Sequence, residues 1–162
     1  MQVEDIKALK LDAAVGGMDQ RKIHMLGVEM LPKINFKIPL FIHTPLIPSL
    51  KGPGKMSSSD EGSFISIRDN HEEVNKKIMK AHCPEGIVED NPILSILKLI
   101  IFPRIKEFIV ERDEKHGGNI NFKNYEEVEK NYKDKKLHPL DLKKTTVTYL
   151  NEILDPIRKA FK

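Results

Sequence analysis

Apolar positions in the first third of the chain predict a strand, a helix and a second strand. Two short apolar runs cover residues 11–15 and 38–42, and the first of them ends at Gly16-Gly17. Between the runs, apolar residues recur at helical spacing, which indicates a helix with one buried face. They are Ile23, Leu26 and Met30. This is the βαβ order of an α/β protein. One helix cannot cover both faces of a parallel sheet, so the region looks incomplete.

The sequence pattern after residue 68 predicts a small helical bundle. Asparagines stand where three helices should begin, and apolar residues at helical spacing follow each of them. They are Asn70, Asn91 and Asn124. Pro139 opens a longer amphipathic helix, in which Pro156 should kink or fray the backbone. Residues 64–67 predict a short strand. The pattern at residues 105–110 does not decide between helix and strand.

Length and charge limit the possible partners. The chain has 162 residues, with 27 Lys+Arg against 24 Asp+Glu and a formal net charge of +3. A mildly basic chain permits an RNA partner without requiring one. The single cysteine, Cys83, excludes an internal disulfide and a CxxC zinc or redox site. No apolar stretch is long enough to span a bilayer and no signal peptide opens the chain, so we expect a cytoplasmic protein without a membrane partner.

Residues 48–62 are rich in glycine, proline and serine, and we expect them to form a mobile surface loop. Its centre reads Lys55-Met56-Ser57-Ser58-Ser59. One lysine, hydroxyl groups and backbone N–H groups are the donors that bind a polyphosphate. The loop is not a Walker A motif, because Met56 rather than Ser or Thr follows Gly54-Lys55. A solvated serine-rich loop without a ligand is the simpler interpretation of its composition.

Three more segments of the chain carry recognisable motifs, and their order and spacing relative to the loop help to interpret it. Gln2-x-x-Asp5 is followed by AVGGMDQRKIHM at residues 14–25 and by LHPLDLK at residues 137–143. Together with KMSSS they resemble the archaeal and eukaryotic tyrosyl-tRNA synthetases of class I. The HIGH-type motif of that family does not occur, so the resemblance is to a C-terminal half. It implies an α/β plus α fold: the C-terminal part of a Rossmann-like catalytic domain at residues 1–68, and a helical anticodon-binding domain at residues 69–162.

The resemblance implies a tyrosine site in the first part of the chain. Asp5 corresponds to the residue that accepts a hydrogen bond from the substrate phenol, and Gln2 and Gln20 would hold the α-ammonium group. The pair Gln2 and Asp5 also favours tyrosine over tryptophan, the substrate of the nearest related enzymes. Without the resemblance, Asp5 is a surface acid and the glutamines are ordinary polar helix positions.

The resemblance also implies an ATP site. Gly17 and Asp19 would contact the ribose, and Lys55 and Met56 would bind the nucleotide. ATP would enter as its Mg²⁺ complex, with no resident cofactor and no metal site. Lys55 would neutralise charge on the departing pyrophosphate. The residues implied to be catalytic are Lys55, Ser57 and Ser58. The simpler interpretation is that Gly17 is part of a tight turn and that Asp19 is an acid favoured by the helix dipole.

Near the end of the chain, His138, Pro139 and Asp141 match the HPxD motif with which the family reads the anticodon. A carboxylate can accept hydrogen bonds from the edge of a guanine, and rings can stack on an unpaired base. The family commonly places an aromatic stacking residue before a glycine pair, where this chain has His116. The simpler interpretation is a solvated helix start with His138 as its N-cap.

Three functions remain open at this stage. The first is the C-terminal half of a tyrosine–tRNA ligase, with tRNA(Tyr), tyrosine and ATP as partners and activity only when joined to the N-terminal half. The second is a non-catalytic tRNA-binding module derived from such an enzyme. The third is a generic nucleotide-binding domain. The family forms homodimers, but the resemblance leaves dimerisation of this chain open.

Overall fold

The computed structural model describes residues 2–57 and 59–161, apart from the side chain of His116. The chain forms two compact units, Met1–Leu46 and Ile47–Lys162. The second unit therefore begins before the predicted domain boundary at residues 68 and 69, because the KMSSS loop packs with the helices that follow it. The functional boundary itself stays a prediction.

The first unit alternates helices and strands. Its elements are α1 (Gln2–Ala8), β1 (Ala13–Gly17), α2 (Arg21–Met30) and β2 (Leu40–Thr44). β1 and β2 are parallel neighbours, with Val15 opposite Ile42 in the register. The predicted βαβ order is confirmed. Each strand begins two residues later than its apolar run, and β2 begins directly after Pro39, which has no N–H to donate to a neighbouring strand.

The buried face of α2 differs from the prediction. His24 and Gly27 are the buried residues of this helix. The His24 ring stacks on Phe41 of β2 with the ring centroids 4.6 Å apart, and a Cβ at Gly27 would come within 3.3 Å of the same ring. An aromatic ring and a residue without a side chain therefore fit against β2. The predicted apolar stripe is exposed by 38–50%; its members are Ile23, Leu26 and Met30.

Among the described residues, one face of the two-stranded sheet is exposed. Phe41 and His43 point towards α2, and strand residues alternate, so Leu40 and Ile42 point the other way. Leu40 is 63% exposed, and Val15, which pairs with Ile42, is 67% exposed. A parallel sheet normally has both faces covered. The prediction of an incomplete α/β region is therefore confirmed.

The second unit is mainly helical. Its helices are α3 (His71–Lys80), α4 (Pro92–Ile96, continued by a π turn over Leu97–Ile101), α5 (Tyr125–Lys133) and α6 (Pro139–Ala160). Two short strands, β3 (Phe108–Val110) and β4 (Ile120–Phe122), form an antiparallel hairpin. No helix in the described part of the chain is long and apolar enough to cross a membrane.

The predicted helix starts of the second unit are confirmed. Asn70 accepts from the Glu73 N–H while Glu73 accepts from the Asn70 N–H, which completes a capping box. Asn91 is fully buried and accepts from the N–H groups of Ile93 and Leu94. Asn124 caps α5 by accepting from the Glu127 N–H. The apolar stripes behind these caps form one core; among its fully buried members are Val74, Ile78, Ile93, Leu97 and Val128.

Two local predictions for the second unit are wrong. Residues 64–67 form no strand, because the backbone there is irregular and enters a turn at Ile67. Helix α6 continues past Pro156 to Ala160, so the predicted fraying is wrong, while the alternative of a kink at Pro156 stays a prediction. Arg158 holds this last part in place, since its guanidinium donates to the Asp69 carbonyl at 2.8 Å and to Asn151 Oδ1 at 2.9 Å. The hydrogen bond to Asp69 thus ties the end of α6 to the segment that leads into α3.

Candidate functional site

Three of the predicted substrate-binding side chains are joined by hydrogen bonds. Gln2 donates from Nε2 to Oε1 of Gln20 at 3.1 Å, and Gln20 donates from Nε2 to Oδ2 of Asp19 at 3.0 Å. Asp19 and Gln20 lie in the 3₁₀ turn between β1 and α2. This series of two amides and a carboxylate therefore lies at the carboxyl end of β1. Ligands of open parallel sheets bind at that end of the strands.

Gly17 is required at the same corner for reasons of space. A Cβ at this position would come within 2.6 Å of Asp19 Oδ1 and 2.8 Å of Leu46 Cδ2. Its backbone φ of −67° is one that any residue adopts, so conformational freedom is not the reason. The absence of a side chain lets Asp19 lie against the backbone. The contact of Gly17 and Asp19 with a ribose stays a prediction.

Asp5 lies on α1, three residues from Gln2 and so on the same side of that helix. It is exposed. An acceptor rejects an apolar analogue strongly only when water cannot reach it. The described residues do not bury Asp5, so the selection of tyrosine by this carboxylate stays a prediction.

A histidine pair supports this corner and was missed at the level of sequence. His24 is 5% exposed, and its Nδ1 lies 3.0 Å from Nε2 of His43. A Cβ at Gly16 would come within 3.2 Å of His24 Cε1, so the ring lies directly behind the glycine pair. Burial, and secondarily the charge of His43, lowers the pKa of His24 from its usual 6.5. One ring must donate and the other accept, so protonating both would break the pair.

We expect the first unit to lose stability in acid. Because the folded state lowers the pKa of His24, the unfolded chain binds more protons below about pH 6.5. The stabilising contribution is complete above that pH and is lost as the pH falls below it. Amide hydrogen exchange in β1 and β2, corrected for intrinsic rates, should accelerate between pH 7.5 and 5.5, while α5 amides serve as the internal control. His24→Phe keeps the stack on Phe41 and should remove the effect; the same acid sensitivity in this variant would contradict the assignment.

The KMSSS loop is closed at its base by hydrogen bonds within the second unit. Pro48 and Lys55 form an isolated antiparallel bridge, and the Leu50 N–H donates to the Ser63 carbonyl at 2.9 Å. Ser63 is 1% exposed, and its hydroxyl donates to the Ser57 carbonyl at 2.7 Å. The loop therefore leaves the body of the unit from a fixed base. Ser63 was not anticipated, because its role depends on a contact across the loop.

Above this base, Lys55 and Ser57 are the predicted catalytic residues that the structure describes. Lys55 is exposed, and Met56 and Ser57 are half-buried. Ser57 and Ser59 share a hydroxyl–hydroxyl hydrogen bond of 2.8 Å. Ser58 lies outside the described residues. Lys55 belongs to the second unit and Gly17 to the first, and their common role stays a prediction.

His138 occupies the N-cap of α6, as the simpler interpretation of the sequence predicted. Its Nδ1 accepts a hydrogen bond from the Leu140 N–H at 3.1 Å, and Pro139 takes the first helical position. The ring is exposed, so capping and base stacking are compatible. Because the backbone fixes its Nδ1, the ring is held in one orientation at the end of the helix.

Asp141 follows in the first turn of α6 and lines an open depression of about 490 Å³. The opposite wall is the loop between β3 and β4, with Arg112, Asp113 and Asn119. The same loop carries the predicted stacking residue His116, whose side chain lies outside the described atoms. The structure thus brings the HPxD segment and the hairpin loop to the two sides of one depression. Sequence reasoning missed Arg112, since nothing in its spacing marks it.

The described residues hold no group of three or more His, Cys, Asp or Glu side chains arranged to bind a metal ion. The first unit thus carries a polar corner at the carboxyl end of a parallel strand. The second unit carries the loop with exposed Lys55 and, separately, a depression beside the capped helix α6. The family model for class I tRNA synthetases of the tryptophan and tyrosine type matches residues 1–155. The tyrosine–tRNA ligase of Saccharolobus solfataricus is 49% identical over all of this chain. The chain belongs to the tyrosyl-tRNA synthetase family.

Solved structures agree with this membership. The tyrosyl-tRNA synthetase of Archaeoglobus fulgidus, crystallised with L-tyrosine, is 51% identical with a TM-score of 0.87, over 98% of this chain and 49% of that one. A tryptophanyl-tRNA synthetase from Giardia lamblia is 18% identical with a TM-score of 0.63, over 88% of this chain and 34% of that one, and shows the fold alone. The prediction of a tyrosine-type rather than a tryptophan-type relative is confirmed.

This synthetase chain spans about half the length of the curated relatives it matches. The Saccharolobus ligase is covered over 49% of its length, and the ligase of Methanosarcina mazei over 50%. The covered half is the C-terminal one. The expected fold class, a fragment of a class I synthetase with mixed strands and helices, is confirmed by the same comparisons.

Proposed function

We propose that this chain supplies the C-terminal half of a tyrosine–tRNA ligase. The ligase would activate tyrosine with ATP and transfer it to tRNA(Tyr) in the cytoplasm. The observation that carries the proposal is the hydrogen-bonded series Gln2, Gln20 and Asp19 at the carboxyl end of β1. Residues from separate segments converge there with groups suited to an ammonium and to a ribose hydroxyl. A generic nucleotide-binding domain has no need of the two glutamines.

In the proposed reaction, the protein positions two substrates and stabilises charge. The tyrosine carboxylate attacks the α-phosphorus of ATP, a new carboxyl O–P bond forms, and the bond to pyrophosphate breaks. Gln2 and Gln20 would accept hydrogen bonds from the α-ammonium group, and Asp19 from the ribose. Such positioning lowers the barrier without a protein nucleophile. A ribose hydroxyl at the 3′ end of tRNA(Tyr) then attacks the carbonyl carbon, and AMP leaves.

The KMSSS loop would act on the leaving group. Lys55 would place its ammonium beside the pyrophosphate, and Ser57 and Ser58 would add hydroxyl donors. Met56 would contact the nucleotide, which enters with Mg²⁺ as part of the substrate. The base closed by Ser63 supports this role, because a loop that extends from a fixed point can swing without disturbing the helical core.

The isolated chain should bind tRNA(Tyr) without forming tyrosyl-adenylate. The first unit has an uncovered sheet face with exposed Val15 and Leu40, and the phenol acceptor Asp5 is open to water. Tyrosine-dependent pyrophosphate exchange should be absent for the chain alone. It should appear when the chain is joined to the N-terminal half of its Archaeoglobus relative. Exchange by the chain alone, or no exchange by a folded chimera, would contradict the proposal.

The non-catalytic tRNA-binding module remains the second candidate. The observation that favours it is the closed core of the second unit, which holds His138 and Asp141 on a structure with fully buried Val74, Ile78 and Leu97. Binding of tRNA by the chain is common to both candidates. Restored pyrophosphate exchange in the chimera separates them, because a module that has lost catalysis has no reason to keep a working Lys55.

A further inference from the structure

We infer that Arg112 is the positioning residue of the anticodon site: it ties the β3–β4 loop to the segment that leads into α6. This inference rests on the proposed function and deepens it. His116 on the loop and His138 with Asp141 on the helix would contact one anticodon together. Their relative placement therefore decides which base is read.

The connection consists of three hydrogen bonds from one residue. The Arg112 N–H donates to Asn119 Oδ1 at 3.0 Å, across the open end of the loop. Its Nε donates to the Gly118 carbonyl at 3.1 Å. Its Nη1 donates to the Lys136 carbonyl at 3.3 Å, two residues before His138. The first two bonds shape the loop, and the third attaches it to the entry of α6.

The loop needs such a connection because its backbone is held in an unusual shape. Gly117 and Gly118 have φ values of 91° and 70°, a region in which side chains are rarely found. The Gly118 N–H donates to the Asp113 carbonyl at 3.2 Å, which closes the turn that carries His116. A Cβ at Gly117 would lie 3.5 Å from Arg112 Nη2. The guanidinium thus lies against the turn and holds it towards the helix.

The geometry requires the planar fork of arginine rather than a positive charge alone. Two nitrogens of one rigid group reach two carbonyls on separate segments, so the distance between the segments is fixed by covalent geometry. A lysine ammonium keeps the charge, but on a flexible stem it cannot hold both carbonyls in that arrangement. Arg112 and Asp141 line the same depression, so a displaced loop would change the space in which Asp141 meets a base.

A direct ionic contact between Arg112 and an RNA phosphate is the competing explanation, and it makes a different prediction. Loss of a phosphate contact weakens the binding of all RNA sequences alike, whereas loss of a positioning residue alters the selectivity between bases. Lysine can replace arginine as a phosphate contact but not as the connection described above. The two substitutions R112K and R112A therefore separate the explanations.

The experiment measures binding of the whole 162-residue chain to tRNA(Tyr) transcripts that carry each of the four bases at the first anticodon position. We expect both R112A and R112K to reduce the preference for guanine by about tenfold, as expected for one base-edge contact. The melting curve of each variant, followed by circular dichroism, shows whether it is folded. If R112A does not fold, R112K carries the test.

Lys115→Ala is the matched control. Lys115 lies on the same loop and is exposed, so its removal costs one charge without breaking a hydrogen bond of the loop. It should weaken binding to all four transcripts by a similar factor. The inference is overturned if R112K keeps the full preference, or if R112A weakens all transcripts alike. A wild-type chain that binds tRNA(Tyr) without preference would overturn anticodon reading itself, and so the proposed function of this unit.

Discussion

Replacing Lys55 by alanine in the completed ligase should slow tyrosyl-adenylate formation by about 100- to 1000-fold, the usual cost of removing one donor that stabilises transition-state charge. The ammonium would meet negative charge that grows on the pyrophosphate as the bond to the α-phosphorus breaks. Tyrosine carries no part of that charge, so its binding should change by less than about threefold. Stopped-flow measurement of adenylate formation and equilibrium binding of tyrosine separate the two quantities.

Lys51→Ala is the control for this prediction. Lys51 lies four residues earlier in the same loop and forms an ion pair with Asp60. Its removal takes away the same charge at similar exposure but outside the KMSSS segment, so the rate should fall by only a small factor. Equal losses for the two lysines would mean that the general charge of the loop, and not the placement of Lys55, drives the reaction. An unchanged rate in Lys55→Ala would refute its assigned role.

Asp141→Ala should weaken binding of tRNA(Tyr) by about tenfold and relax selection of the first anticodon base, because one base-edge contact is lost. The carboxylate would accept from the donor edge of a guanine, and the other bases present a different edge. The loss should therefore fall mainly on the transcript with guanine and bring it close to the other three. Binding measured at one fixed salt concentration is required, since phosphate contacts depend strongly on salt.

Glu111→Ala is the matched variant for Asp141. Glu111 lines the same depression, but it lies outside the HPxD segment. Its substitution by alanine also removes one carboxylate. Removing it should raise the affinity for all transcripts slightly through lower repulsion of phosphates. If the two acids behave alike, Asp141 acts through charge alone and reads no base. Equal binding of all four transcripts by the unaltered chain would lead to the same conclusion.

The parts of the fold that sequence could predict are those fixed by neighbouring residues. The asparagine caps at Asn70 and Asn91 use donors two or three residues away, so their sequence signature is complete in itself. The face of α2 could not be predicted, because it depends on Phe41 in a later strand. Arg158 likewise supports the end of α6 through Asp69, 89 residues away.

In the candidate site, too, the residues that form local motifs could be predicted and the residues that act through distant contacts could not. The motif residues Gln2, Asp19 and Gln20 were named from sequence, and the structure places them within hydrogen-bond reach of one another. The residues that hold such motifs in place were not named. His24 and Arg112 act through contacts to other segments of the chain, and their surroundings exist only after folding. Spacing along a sequence therefore finds chemical groups more readily than the side chains that orient them.

The bare side of the β1–β2 sheet has a consequence for the chain in solution. An aliphatic surface that includes Val15, Leu40 and Ile42 gains free energy by leaving water. At high concentration this chain should therefore adhere to itself or to chaperones, and mild detergent or dilution should reverse the clustering. The same exposed apolar surface offers a binding site for a complementary apolar helix of a second polypeptide.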